Sequence, residues 1–248
     1  EQVSVKHHFI DTLKPNEAYN AGKFEEDAIA FLDDYFKSHQ YAVLVGGSGL
    51  YINAVKFGFD QLPSTPTHIR EYFSKLLATQ GKKALNELLK EKDPAYYSEV
   101  DLENSQRVQR ALEAIEVTGQ KFSSFRKKVS KKRPFQMIEV QLLPDREKLY
   151  ERINQRVELM QEEGLLEEVK SVLQYKHENA LQTVGYRELI EHLAGERTEA
   201  EAFEKIKQHT RNFAKRQYTW FKKYPGDLIY HEWNNEEVIK HLKEKLNV

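Results

Sequence analysis

Between His209 and Lys223 the sequence reads HTRNFAKRQYTWFKK. This stretch holds six cationic or potentially cationic side chains and four aromatic ones, with no acid among them. On a helix, positions three and four apart share a face. Arg211, Lys215, Tyr218 and Lys222 then form one stripe, and Phe213, Ala214, Gln217 and Phe221 lie largely on other faces. A cationic stripe beside aromatic rings suits a phosphate backbone carrying unstacked bases. An amphipathic helix with a solvated basic face has the same composition.

Three further segments carry residue types that do chemistry. Arg152 and Arg156 stand one helical turn apart and can clamp a diphosphate; the plainer reading is a salt-bridged surface helix. In Gln106-Arg107-Val108-Gln109-Arg110-Ala111-Leu112-Glu113, Val108 and Leu112 join Ile115 in an apolar stripe, and Gln106, Arg107 and Arg110 point elsewhere. Amide and guanidinium groups read base edges and phosphates, although an ordinary amphipathic helix has this pattern too. Val45-Gly46-Gly47-Ser48-Gly49-Leu50-Tyr51 lies between an expected strand and an expected helix, where ligands of open α/β sheets bind. Its glycines would let the backbone approach a ligand, or serve only a tight turn. A fourth feature is charge alone: Lys121, Arg126, Lys127, Lys128, Lys131, Lys132 and Arg133 form a basic run without an acid. No histidine pair has HExxH spacing, and no nucleophile elbow occurs.

The elements that must position these residues follow from periodicity. His7 to Ile10 is expected as a short strand, Ala18 to Ser38 as a helix, and the apolar run Tyr41 to Val45 as a buried parallel strand. A helix is expected through Leu50 to Val55. Pro63-Ser64-Thr65-Pro66 breaks the chain, and Thr67 to Arg126 reads as helices broken at Gly81 and Asp93-Pro94. Gln136 to Leu143 returns to strand, and Asp145 can cap the next helix. Helices interrupted at Gly164, Gly185 and Gly195 follow, with a last strand from Leu228 to Trp233. This order implies an α/β layer: residues 1–62 and 134–248 as a sheet core flanked by helices, and 63–133 as a helical insertion.

The 248 residues carry a net charge of −1 and no cysteine, so any nucleic-acid surface is a local patch, and disulfides and thiolate chemistry are excluded. Mean hydropathy is −0.73 and no run approaches a membrane span. The chain lacks a starting Met and is expected to begin inside a longer reading frame.

Six segments in register give this chain a resemblance to the tRNA dimethylallyltransferase family, the isopentenyl-diphosphate:tRNA transferases. They are His7-His8-Phe9-Ile10-Asp11, Gly46 to Tyr51, Gln106 to Glu113, Arg152 to Val169, Val184-Gly185-Tyr186-Arg187-Glu188 and Thr210 to Trp220. The resemblance implies a P-loop-kinase-like, nucleotide-binding parallel sheet of the ATP-binding type with a mostly helical insertion gripping the tRNA anticodon stem-loop. It implies a cytoplasmic monomer that uses Mg²⁺ and transfers a dimethylallyl group from dimethylallyl diphosphate to N6 of adenosine 37 within A36-A37-A38. Arg156 matches the arginine that handles the donor diphosphate, with weaker matches at Arg211, Gly46 and Gly47. Ser48, in place of the family's usual threonine, and Arg70 match tRNA-contacting positions. Gln106, Arg107, Val108, Gln109 and Arg110 match the segment around the flipped adenosine. Gln182, Thr183, Val184, Gly185, Tyr186 and Arg187 match further tRNA contacts, as do Lys215, Arg216, Gln217, Tyr218, Thr219, Trp220, Phe221 and Lys222.

One departure stands out. The family opens with a strand, a Walker A-like loop and a general-base aspartate, and this chain holds no GxxxxGK[ST]. That segment is expected to lie outside the chain, Asp11 and Asp27 do not replace the aspartate, and the remaining strands would lack their central neighbour. The competing readings are an isopentenyltransferase acting on free adenine nucleotides, a non-catalytic RNA-binding protein and, third, a small-molecule kinase.

Overall fold

Local signals set most of the helices. In the computed structural model, which describes residues 5–60, 62, 64–126, 130–232 and 234–247, helix α1 (Ala21–Tyr35) starts where the Asn20 side chain accepts from the backbone N–H groups of Gly22 and Lys23. Helix α2 spans Gly49–Phe57 and α3 spans Thr67–Lys92, interrupted at Gly81, whose φ of 75° is left-handed. The short α4 (Pro94–Tyr97) begins at the expected Asp93-Pro94 break. Helix α5 (Ser105–Thr118) is capped by Asn104, and α6 covers Phe122–Phe125. Asp145 caps α7 (Arg146–Glu162) as expected, accepting from Glu147 N at 2.9 Å and Lys148 N at 3.2 Å. Left-handed Gly164 and Gly185 precede α8 (Leu165–Ser171) and α9 (Tyr186–Leu193). Thr198 and Glu201 then form a reciprocal cap on α10 (Glu199–Lys223), and α11 (Asn235–Leu246) follows.

The strands are fewer and shorter than expected. Among the described residues, β1 (Val140–Leu142) and β2 (Leu228–Tyr230) pair in parallel, with Gln141 opposite Ile229. Trp233, assigned to the last strand, lies outside the described residues. The connection from β1 to β2 is the helical run α7 to α10, the crossover a parallel pair requires. Gln141 is the buried residue of β1, donating to the Tyr224 carbonyl at 2.6 Å, while Val140 and Leu142 are half-buried.

Two expected strands are absent. His7 to Ile10 cannot continue as a strand because Phe9 has φ of 62°. The rings of His8 and Phe9 instead pack on Phe31 and Phe24 of α1, at centroid distances of 4.3 and 5.6 Å. Tyr41 to Val45 is unpaired among the described residues, with Val43 and Val45 each 87% exposed. An apolar run of this kind is held as a strand only between neighbours that cover both faces, and β1 and β2 pair with each other instead.

The chain forms two compact units, Glu1–Asn53 with Arg133–Val248, and Ala54–Lys132. The first has a core of Val157, Leu165, Val169, Leu189, Ala202, Phe203 and Ile206 beneath α7 to α10. The second is built on Phe73, Leu85, Leu89, Val108, Ala111, Leu112 and Ala114, where α3 packs along α5. Among the described residues no helix is long and apolar enough to cross a membrane.

Candidate nucleic-acid and diphosphate-binding site

In the first unit, α10 joins two of the segments singled out in the sequence. Ala202, Phe203, Ile206 and Ala214 mark its buried line. Farther along, Gln217 donates from Nε2 to the Gly47 carbonyl at 2.7 Å. A Cβ at Gly47 would fall 2.1 Å from Gln217 Nε2, and one at Gly49 would fall 2.0 Å from Trp220 Nε1. These two glycines admit side chains of the same protein, a stronger constraint than the ligand approach expected of them; nothing lies within 4 Å of a Cβ at Gly46. Ser48 stands at the start of α2, its carbonyl accepting from Tyr51 and Ile52.

The expected stripe of α10 divides. Lys215 and Lys222 are exposed, as are Arg216 and Thr219. Arg216 lies over the Phe213 ring at 5.4 Å, and Thr219 turns its hydroxyl back to the Lys215 carbonyl at 3.2 Å. Tyr218 donates to the Pro144 carbonyl, and burial followed by the nearby Asp145 carboxylate pushes its phenol up. Phe221 and Trp220 are half-buried. Arg211 donates to Asn154 Oδ1 at 2.6 Å.

That last bond sorts the faces of α7. Asn154, Glu158 and Gln161 face α10, meeting Arg211, Lys207 and Glu199 at 2.6, 3.0 and 3.4 Å. Arg156 is two residues beyond Asn154, roughly 200° around the helix. Arg211 and Arg156, both candidates for the diphosphate, therefore approach opposite flanks of α7. Arg152 and Arg156 share one exposed face, and among the described residues neither has an ion-pair or hydrogen-bond partner. The salt-bridged surface reading does not describe these two arginines.

The segment before α9 converges on a buried acid to which the sequence reading assigned no role. Glu188 is 1% exposed and accepts from Gly185 N at 2.8 Å, Arg187 at 3.1 Å and His209 Nδ1 at 2.5 Å. Burial pushes its carboxyl up, but these hydrogen bonds outweigh burial and hold it below the usual range. The spacing Gly185-x-x-Glu188 at a helix start was the signal available. Tyr186 donates to Glu168, and burial together with that carboxylate raises its phenol to about 12. Gln182 and Thr183 are exposed, Val184 packs on the core, and Gly185 is buried.

In the second unit, Gln106 and Arg107 are exposed on the first turn of α5. Val108, placed with them among the expected nucleic-acid contacts, is fully buried and turns its side chain into the core. Gln109 Nε2 donates to Glu113 at 3.0 Å, to Ser74 Oγ at 3.1 Å and to the Arg70 carbonyl at 3.5 Å. Arg110 reaches Glu113 at 3.5 Å and also donates to Thr65. Glu113, only 4% exposed, thus gathers two of the expected base-reading residues and was missed. Its signal is an acid inside the run Ala111-Leu112-Glu113-Ala114-Ile115, all five of which the structure buries.

The basic run is less free than its composition suggested. Arg126 pairs with Glu99 at 2.9 Å and lies over the Tyr96 ring at 5.2 Å. Arg133 pairs with the buried Glu25 at 2.8 Å. Lys121, Lys131 and Lys132 are exposed, and Lys127 and Lys128 lie outside the described residues. Asp27 is committed to Lys23 at 2.8 Å and to Tyr19 at 3.1 Å, the lysine chiefly holding its carboxyl below the usual range. Asp11 is exposed.

The profile of the IPP transferase family matches residues 1–224. The chain is 41% identical over 246 residues to a protein named tRNA dimethylallyltransferase 2 from Parabacteroides distasonis, covering 99% of this chain and 82% of that one. Among solved structures it resembles the tRNA isopentenylpyrophosphate transferase of Bacillus halodurans, with a TM-score of 0.67 and 29% identity over 99% of this chain and 78% of that one. A eukaryotic dimethylallyltransferase acting on tRNA shares the fold at a TM-score of 0.81 and 21% identity, covering 100% of this chain and 66% of that one. Exposed arginines on α7, a glycine loop held by α10 and a cluster of amide, guanidinium and carboxylate groups on α5 are thus found in a chain that this profile and these relatives match almost end to end, and the protein belongs to the IPP transferase family.

Proposed function

We propose that the protein transfers a dimethylallyl group from dimethylallyl diphosphate to a tRNA, at N6 of adenosine 37 next to the anticodon. The observation that carries this is the 41% identity, across nearly the whole chain, to a tRNA dimethylallyltransferase. The C1–O bond of the donor breaks, an N6–C1 bond forms, diphosphate leaves with the bonding pair, and N6 gives up one proton. The amine lone pair is delocalised into the ring, so charge stabilisation of the leaving group and removal of that proton are the tasks for the protein. Arg156, exposed and without a partner among the described residues, is suited to the diphosphate. Gln106, Arg107, Gln109 and Arg110 suit an unstacked base, and Lys215, Arg216 and Lys222 the phosphate backbone.

The core is read as P-loop-kinase-like, and residues 63–133 as the insertion that grips the anticodon stem-loop. Among the described residues no three histidines or carboxylates converge on a metal position. The described side chains therefore build no cage for Mg²⁺, which commonly rides on substrate phosphates with one or two carboxylates.

Nucleoside mass spectrometry tests the reading. A tRNA bearing A36-A37-A38 is incubated with dimethylallyl diphosphate, Mg²⁺ and the full-length protein. A dimethylallyl mass increment confined to adenosine 37 is expected; tight tRNA binding without any increment would leave only an RNA-binding protein.

A second expectation concerns the basic run. Neutralising Lys127, Lys128, Lys131 and Lys132 together should weaken tRNA binding and flatten its salt dependence, by about 0.7–0.9 in log–log slope for each phosphate no longer neutralised. A slope identical to that of the unaltered protein would return these lysines to a solvated surface.

A further inference from the structure

The side chain of Gln109 can present either its oxygen or its nitrogen to a ligand, and its surroundings decide which. Its Nε2 lies within hydrogen-bond distance of Glu113 Oε1, Ser74 Oγ and, at 3.5 Å, the Arg70 carbonyl. A serine hydroxyl can donate or accept and would tolerate either orientation. An ionised carboxylate only accepts, so it demands the NH₂ group. Glu113 is 4% exposed, and its other oxygen lies 3.5 Å from the Arg110 guanidinium, which keeps an opposite charge beside it. Among the described residues Gln109 Oε1 accepts no hydrogen bond, yet it is not sealed from solvent.

We propose that Glu113 is a positioning residue that fixes the polarity of the Gln109 amide. Gln109 then shows only a carbonyl oxygen to the bound RNA and selects a base edge that carries an exocyclic amine. This rests on the reading of the protein as a tRNA-modifying enzyme and adds to it the source of one element of base selectivity. Arg70 belongs to the same device, because its backbone carbonyl, on the first turn of α3, takes part in holding the amide. An adenine amine meets this oxygen as a donor. A base with a carbonyl at the same place sets two acceptors against each other, and neither can pair.

Glu113→Gln is nearly isosteric and removes the closer and charged demand at 3.0 Å, leaving only the 3.5 Å contact with the Arg70 carbonyl. Its own amide can offer an NH₂ to Gln109, whose side chain then turns and shows its NH₂ outward. The test is equilibrium binding of the full-length protein to anticodon stem-loop hairpins in which adenosines 36, 37 and 38 are replaced by inosine one at a time. Inosine exchanges the amine for a carbonyl and turns N1 from an acceptor into an N1–H donor, leaving N3, N7 and the ring shape alone. The unaltered protein is expected to bind one of the three inosine hairpins roughly tenfold more weakly than the all-adenosine hairpin. In Glu113→Gln that preference should fall close to one at the same position, with the ratios at the other two unchanged. Gln109→Ala should lose the preference at that position as well, and it serves as the second variant if Glu113→Gln folds poorly. An equal loss on all hairpins in both variants would make Glu113 and Gln109 merely structural and overturn the proposal. So would an unaltered protein that binds the adenosine hairpin but prefers it over none of the three inosine hairpins. Failure of the unaltered protein to bind any hairpin would instead overturn the tRNA reading, and this proposal with it.

Discussion

Replacing Arg156 by alanine in the full-length protein is expected to lower the turnover of dimethylallyl transfer by roughly 10²-fold or more, the cost of removing one charge interaction that strengthens as the leaving group develops charge. The structure makes this a clean test. Arg156 lies on the exposed face of α7 and has no partner among the described residues, so its removal breaks no interaction that holds the helix. The thermal midpoint and the far-ultraviolet spectrum should stay where they are. Single-turnover rates with saturating donor and tRNA separate the chemical step from binding. Arg156→Lys should recover part of the loss, because an ammonium keeps the charge but not the two-pronged donor geometry. Turnover that is unchanged in Arg156→Ala would strip the residue of its assigned role.

The second large effect is on stability. Glu188→Ala should cost about 3 kcal/mol, since it leaves His209 and the Gly185 N–H without their acceptor in a site where the carboxylate is almost wholly enclosed. The partners reduce this estimate from what full enclosure would give, as the His209 and Arg187 side chains are 32% and 44% exposed. A pH signature accompanies it. The carboxyl is held below its ordinary value in the folded protein, so its stabilisation is fully present above the unfolded glutamate range. That stabilisation is lost as pH falls through the lowered folded value. Urea unfolding of the unaltered protein should therefore lose stability over this acid interval, and Glu188→Gln should lose less of it. Parallel acid profiles for the two proteins would show that the carboxylate contributes nothing through ionisation.

How legible these features were depended on how local their causes are. Asp145, the Asp93-Pro94 break and the left-handed Gly164 and Gly185 act within a few residues, and the sequence places them correctly. The expected strand at Tyr41 to Val45 fails because a strand is a relation between distant segments. Five apolar residues cannot state whether a neighbour lies beside them. The same limit hid the wiring inside each unit. That Arg211 would be taken up by Asn154, or Arg126 by Glu99, depends on which helices pack together and on which flank. Gln109 and Arg110 were recognisable from their residue types, whereas Glu113 beside them carried no such mark. Its part emerges only when its two oxygens are seen to be shared between them.

The bond from Gln217 to the Gly47 carbonyl spans 170 residues of sequence. Closing so long a loop is slow compared with winding a helix, and its entropic cost must be met before the interaction returns anything. A chain emerging from the ribosome exposes Gly47 early and Gln217 only after α1 to α9 have been made. The glycine loop therefore waits for its anchor throughout synthesis, and the region read as the diphosphate site takes shape late. Termination between α9 and α10 leaves a product with most of its helices and an unanchored glycine loop. In pulse-labelled hydrogen exchange during refolding, protection should reach the start of α2 only after α10 has docked.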